Sequence, residues 1–142
     1  LWYPQQWCAW VGGPTRAVWG ARLIGHVRCV ERTSHRLARA LFHGAVRHQM
    51  QLAKRQQLLG RLVDVGADLF AMLAACSRAQ AMVTREPAEH GPLELADLFC
   101  RLARRRVHGA LQAVSQNEDR QSYRLAQAVL TGRYEWLEAG IL

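Results

Sequence analysis

Lysine is nearly missing from this chain of 142 residues: Lys54 stands alone against 18 arginines. Both side chains carry the same charge on a solvated face, so a bias this strong reflects coding composition more than chemistry. Long apolar runs are missing too. The longest uninterrupted apolar run, Leu69 to Cys76, falls far short of the ~20 apolar residues that cross a bilayer, which excludes a membrane span. Cysteine is sparse, with Cys8, Cys29, Cys76 and Cys100 far apart and no CxxC pair. A disulfide framework needs closer, more regular spacing, so a reducing, cytoplasmic compartment is the expectation. Cys76 and Cys100 fall inside apolar helical patterns, where a free thiol behaves as a small buried hydrophobe. The opening Leu1-Trp-Tyr-Pro-Gln-Gln-Trp7 has neither a basic region nor an apolar core, which excludes a signal peptide. A start at Leu1 suggests a chain cut from something longer.

Familiar catalytic strings are equally absent. No HExxH, P-loop, GxGxxG or GxSxG occurs. A di-iron bundle needs Glu-x-x-His pairs aimed inward, and there is none; the nearest arrangement, Glu31 and His35, reads as a surface pair one turn apart. None of the six histidines has an evident partner, so each is expected to be a surface or packing residue.

What is present is half apolar residues and 21% charged ones, the balance of a soluble globular domain, in a length that suits one domain. The net charge of +8 favours anionic partners: nucleic acid, phospholipid headgroups or an acidic neighbouring domain.

Residues 1–21 differ from the rest. They hold Trp2, Trp7, Trp10 and Trp19 together with Pro4, Pro14 and the Gly12-Gly13 pair. Proline and glycine break regular structure while tryptophan seeks a surface, so this segment reads as an irregular connector packed on something. From about residue 22 apolar positions recur at three and four residues through Val27, Val30, Ser34, Leu37, Leu41 and Ala45. A second helix, from about Ala53 to Thr84, uses Leu58, Leu62, Val65, Leu69, Met72 or Leu73, and Cys76, with a break near Gln51. Small residues at Gly66, Ala67, Ala71, Ala74 and Ala75 would let a neighbour approach closely. Residues 85–92 form a proline-bounded loop, and Pro92 can open the third helix, whose apolar set is Leu95, Leu98, Phe99, Leu102, Ala110, Leu111 and Val114. A fourth helix starts at a cap on Asn117 or Asp119, runs through Leu125, Val129 and Leu130, and stops at Gly132; the tail adds a turn or two. The expected fold is all-α, an antiparallel bundle of about four helices over residues 22–142, preceded by the irregular Trp/Gly/Pro-rich segment.

Two charge features stand out. Arg61, Asp64 and Asp68 sit one turn apart and read as a structural ion-pair row or a docking contact rather than an acid–base pair. On the third helix Arg101, Arg104, Arg105 and Arg106 cluster beside His108 as a candidate anion-binding or docking patch, with Arg101, Arg105 and His108 on one face. Such a patch can grip phosphates. A solvated basic face is favoured instead, because no recognition motif, aromatic partner or helix-turn-helix spacing accompanies the charge.

The second helix also carries a longer string. Arg55-Gln-Gln-Leu-Leu-Gly-Arg-Leu-Val-Asp-Val-Gly-Ala-Asp-Leu-Phe-Ala-Met-Leu-Ala-Ala-Cys-Ser-Arg-Ala79 resembles the C-terminal helical region of acyl-CoA dehydrogenases of the very-long-chain type. Leu95-Ala-Asp-Leu-Phe-Cys-Arg-Leu-Ala-Arg-Arg-Arg106 is similar to that family's next helix, and the close from Leu130 to Leu142 to tails of its bacterial members. The resemblance implies a flavoprotein of fatty-acid metabolism, in which FAD sits among upstream domains and a glutamate there takes the α-proton of an acyl-CoA while hydride passes to the flavin. No position of this chain matches that glutamate, so no catalytic, cofactor-binding or metal residue is assigned, and the chain alone is expected to be inactive. The resemblance further implies an accessory domain, with an upstream flavin-binding domain and a homodimer as partners and peripheral contact with a membrane. The competing reading is a free-standing basic helical module binding nucleic acid or anionic lipid; of these, nucleic acid is disfavoured.

Overall fold

The structure is a computed structural model that describes residues 20–48, 55–137 and 139–140. Most of the expected connector, the break near Gln51 and the end of the tail lie outside the described residues. Four helices follow in order: α1 over Ile24–His48, α2 over Gln56–Arg85, α3 over Gly91–Ala113 and α4 over Asp119–Leu130, with a 3-10 turn at Glu135–Leu137. No strand occurs among the described residues.

Local chemistry sets the boundaries. α2 stops where Pro87 forbids helical geometry at the residue before it, and Glu86 is extended at φ −129°, ψ 82°. Pro92 then occupies the first turn of α3, where a missing N–H costs nothing, and Glu94 meets the positive end of the helix. Between α3 and α4 the N-cap position falls on Glu118, but Asn117, one of the two expected caps, satisfies the first helical N–H. Asn117 Oδ1 accepts from the Asp119 N–H at 3.2 Å while its amide donates to the Ala113 carbonyl, so it staples the turn. The Asp119 carboxylate is engaged elsewhere. Gly132 does end α4: at φ 78° its N–H bonds the Val129 carbonyl and the next N–H, of Arg133, reaches Ala128, the paired bonds of a Schellman stop.

α2 is the central helix. Its buried row is Leu58, Leu62, Val65, Leu69, Met72, Cys76 and Ala79, the expected set with Met72 rather than Leu73 turned inward. Leu37 of α1 lies over Gly66, and Cys100 of α3 meets Cys76 with sulfurs 3.6 Å apart. With Asp68 paired to Arg106 nearer the start of α2, these contacts make α1 and α3 both antiparallel to α2, and therefore parallel to each other.

α3 buries a different face from the one its leucines suggest. Ala96, Cys100, Ala103 and Val107 are at most 5% exposed, whereas Leu95, Leu98 and Leu102 are 72%, 56% and 44% exposed. Both faces are apolar. The small one wins because alanine and cysteine let the two axes approach and bring backbone atoms into van der Waals contact. Of the small residues expected to play that part on α2, Ala67 and Ala74 are exposed, Ala71 and Ala75 are half-buried, and a side chain at Gly66 would meet Leu37 only at an ordinary 3.7 Å. Leu23, just before α1, and Val27 and Val30 within it are buried, but Ser34, Leu41 and Ala45 are exposed. α4 buries no residue at all.

Candidate functional site

The row of α3 that faces α1 is Asp97, Arg101, Arg104, His108 and Leu111, spaced four, three, four and three along the helix. At its first position the two helices are tied together. His26, only 5% exposed on α1, places Nε2 at 2.8 Å from Asp97 Oδ1, and Arg101 donates to the other carboxylate oxygen at 2.7 Å. The His26 hydrogen bond, followed by Arg101, holds the Asp97 carboxyl below its ordinary range against the desolvation that opposes ionisation. His26 Nδ1 is buried and has no partner among the described residues.

Beyond that tie the two parallel helices straddle α2 and leave a cleft of about 560 Å³. Leu69 and Met72 of α2, with Val107 and Leu111 of α3, give it an apolar base; Cys29 and Thr33 form the α1 wall. Its rim is cationic, with Arg36 from α1 opposite Arg101, Arg104, Arg105 and His108. Only Arg101 on that rim has a carboxylate within salt-bridge reach among the described residues.

The expected cluster therefore divides. Arg101, Arg104 and Arg105 converge on the cleft, while Arg106 turns away, forks onto Asp68 at 2.6 and 3.1 Å and lies 6.0 Å over the Phe99 ring. The expected Arg61–Asp64–Asp68 row likewise divides between helices. Arg61 binds Asp119 bidentately at 2.7 and 2.6 Å, Asp68 takes Arg106, and Asp64 is exposed. Arg61 in turn lowers the Asp119 pKa, chiefly through those hydrogen bonds. In chemical terms the cleft offers fixed positive charge and forked N–H donors over an apolar base, an arrangement suited to holding an anion. No group of three or more metal-ligating side chains occurs among the described residues, and no described helix is long and apolar enough to cross a membrane.

Residues 23–132 match the family model of the ACAD9/ACADV C-terminal domain. The chain belongs to this family. Relatives of this C-terminal domain include the probable acyl-CoA dehydrogenase FadE10 of Mycobacterium bovis and that of Mycobacterium tuberculosis, each 50% identical over 121 residues. The alignment covers 84% of this chain and 19% of each relative, so the chain spans about a fifth of their length. No solved structure matches.

One expectation for this ACAD9/ACADV domain needs correcting: His26 does have a partner. Asp97 is 71 positions away, so no local spacing could reveal it. The signal was that His26 shares the inward face of α1 with Leu23, Val27 and Val30, and a buried imidazole requires a hydrogen bond.

Proposed function

We propose that the chain is the C-terminal accessory domain of an FAD-dependent acyl-CoA dehydrogenase of fatty-acid β-oxidation, and that its task is to dock on the flavin-binding body rather than to do chemistry. One observation carries this reading: a row of leucines on α3 and the large apolar residues of α4 face outward. Leu95, Leu98 and Leu102 form a continuous exposed row, and Leu125, Val129 and Leu130 are 46%, 52% and 79% exposed on a helix with no buried residue. Contiguous exposed apolar surface on a small domain marks an interface. The family membership and the share of the relatives' length support the preceding part of such a protein as the occupant. Homodimer architecture and peripheral membrane contact, which the family resemblance implies, would draw on the same exposed residues.

The test is co-expression of the 142-residue chain, tagged, with an upstream flavin-binding body that lacks it. Docking predicts a stoichiometric complex with the acyl-CoA-dependent dye reduction of the uncut enzyme. It also predicts loss of that complex for Leu98→Glu with Leu102→Glu, both of which are already exposed and so leave the bundle folded. A body that is fully active and of unchanged oligomeric state alone, and that never captures the domain, would refute it.

A further inference from the structure

The cationic cleft opens between α3 and α1, whereas the leucine row of α3 is exposed. We propose that the cleft between α1 and α3 is a binding site for a single-chain anionic amphiphile, an acyl chain ending in a carboxylate or phosphate.

Three features select this chemistry. The rim brings four arginines and His108 together from two helices, and among the described residues only Asp97 pairs with any of them, already bonded to Arg101 and His26. Arg36, Arg104 and Arg105 therefore present guanidinium forks to a ligand, the geometry that suits carboxylate and phosphate oxygens. Below the charges half-buried Leu111 and the edges of the buried Leu69, Met72 and Val107 side chains form an apolar floor, and the volume of about 560 Å³ is that of a small-molecule pocket rather than of a single oxyanion. A bare anion would use the rim and leave the apolar base empty. Finally, the apolar atoms lie beneath the arginines. A membrane-binding surface projects its apolar groups past its charges, whereas here a chain must leave the bilayer and enter as a monomer. Nucleic acid fits less well, since among the described residues no Phe, Tyr or Trp lines the cleft to stack a base.

The His26–Asp97–Arg101 tie closes one end of the cleft, so the tail is expected to lie from the rim towards that end. Cys29 and Thr33 would flank it.

The experiment titrates dodecanoate and dodecyl phosphate, below their micelle concentrations, into the 142-residue chain by calorimetry at low salt. The methyl resonances of Met72, Val107 and Leu111 are followed by NMR. Saturable binding that shifts those methyls, and that tightens by up to about fourfold for each methylene added to a shorter chain, is the expected result. Arg104→Glu with Arg105→Glu, both exposed, should weaken it about tenfold or more. Arg120→Glu with Arg124→Glu on α4, an equal change in net charge away from the cleft, should leave it unchanged. Circular dichroism confirms that both variants fold. Equal losses from both pairs would show diffuse electrostatics and overturn the proposal. So would binding of inorganic phosphate as tight as that of dodecyl phosphate, binding to phosphatidylglycerol vesicles without binding of the monomers, or no binding at all.

Discussion

α4 is held to the bundle by polar contacts, which makes Arg61→Ala an unusually selective perturbation. Arg61 donates from both terminal nitrogens to Asp119, at 2.7 and 2.6 Å, and each side chain keeps about a quarter of its surface in water. A charge-assisted pair shut away from water contributes roughly 1.5–3 kcal/mol, and an exposed one under about 1 kcal/mol. Partial exposure places this pair between them, at about 1–2 kcal/mol. The helix it holds is 12 residues long and buries none of them. An isolated helix of that length is marginal in water.

Loss of the clamp should therefore release α4 without unfolding the rest. Amide hydrogen exchange over residues 122–130 is expected to accelerate about 5–30-fold in Arg61→Ala, while the amides around Met72 and Cys100 keep their wild-type protection. Asp119 also sits at the positive end of α4, so Asp119→Ala removes a helix-end interaction besides the pair. The double-mutant cycle isolates the pair itself. Acid should do the same work. The Asp119 pKa is depressed in the fold, so the clamp is intact above the ordinary carboxylate pKa of about 3.9 and is lost as pH falls through the lower folded value. A coupling energy within about 0.3–0.5 kcal/mol of zero, or unchanged exchange in α4, would refute the reasoning.

Other outcomes follow from the core and from the α1–α3 tie. Met72 is fully buried between the helices, and Met72→Ala should cost about 2–5 kcal/mol in denaturant unfolding with an unchanged m-value. Burial pushes the Cys100 thiol up to about 12 and raises that of Cys76, so in a Cys8→Ser background an alkylating reagent should label half-buried Cys29 first and reach the other two only on unfolding. His26→Ala strips Asp97 of the bond that most lowers its pKa. Wild-type stability should exceed the variant's by about 1–3 kcal/mol above the unfolded carboxylate pKa of about 3.9, and the gap should close as pH falls through the depressed folded value. A constant gap down to pH 2 would count against Asp97 as the partner that matters.

Helix number, the proline-bounded loop and the inward row of α2 were legible in the sequence because each has a local cause: a period of 3.6, a ring without an N–H, a glycine at positive φ. The face of α3 was not. Periodicity weights residues by size, and the leucines of α3 outweigh its alanines and cysteine, yet packing against α2 rewards close approach over bulk. The split of the arginine cluster was hidden for a different reason. Sequence places Arg104, Arg105 and Arg106 side by side, but successive helical residues turn by about 100°, and which of them meets α1 depends on where α1 lies. Contacts such as His26–Asp97 and Arg61–Asp119, at separations of 71 and 58, leave no trace in any window.

These misreadings bear on one question, how a helix with two apolar faces chooses between them. Had α3 buried its leucines on α2, the larger side chains would have held the axes apart, and Cys76 and Cys100 could not lie 3.6 Å apart. By packing through Ala96, Cys100 and Ala103, the hairpin obtains a thin, dense seam and leaves a row of leucines available outside. The same rotation turns Arg101, Arg104 and His108 towards α1, so the outward leucines and the cationic cleft are two consequences of a single choice of face. A variant that enlarges the seam, such as Ala103→Leu, should therefore disturb both at once. A domain optimised for its own stability would be expected to bury its leucines; leaving them on the surface is what the proposed docking on another surface requires.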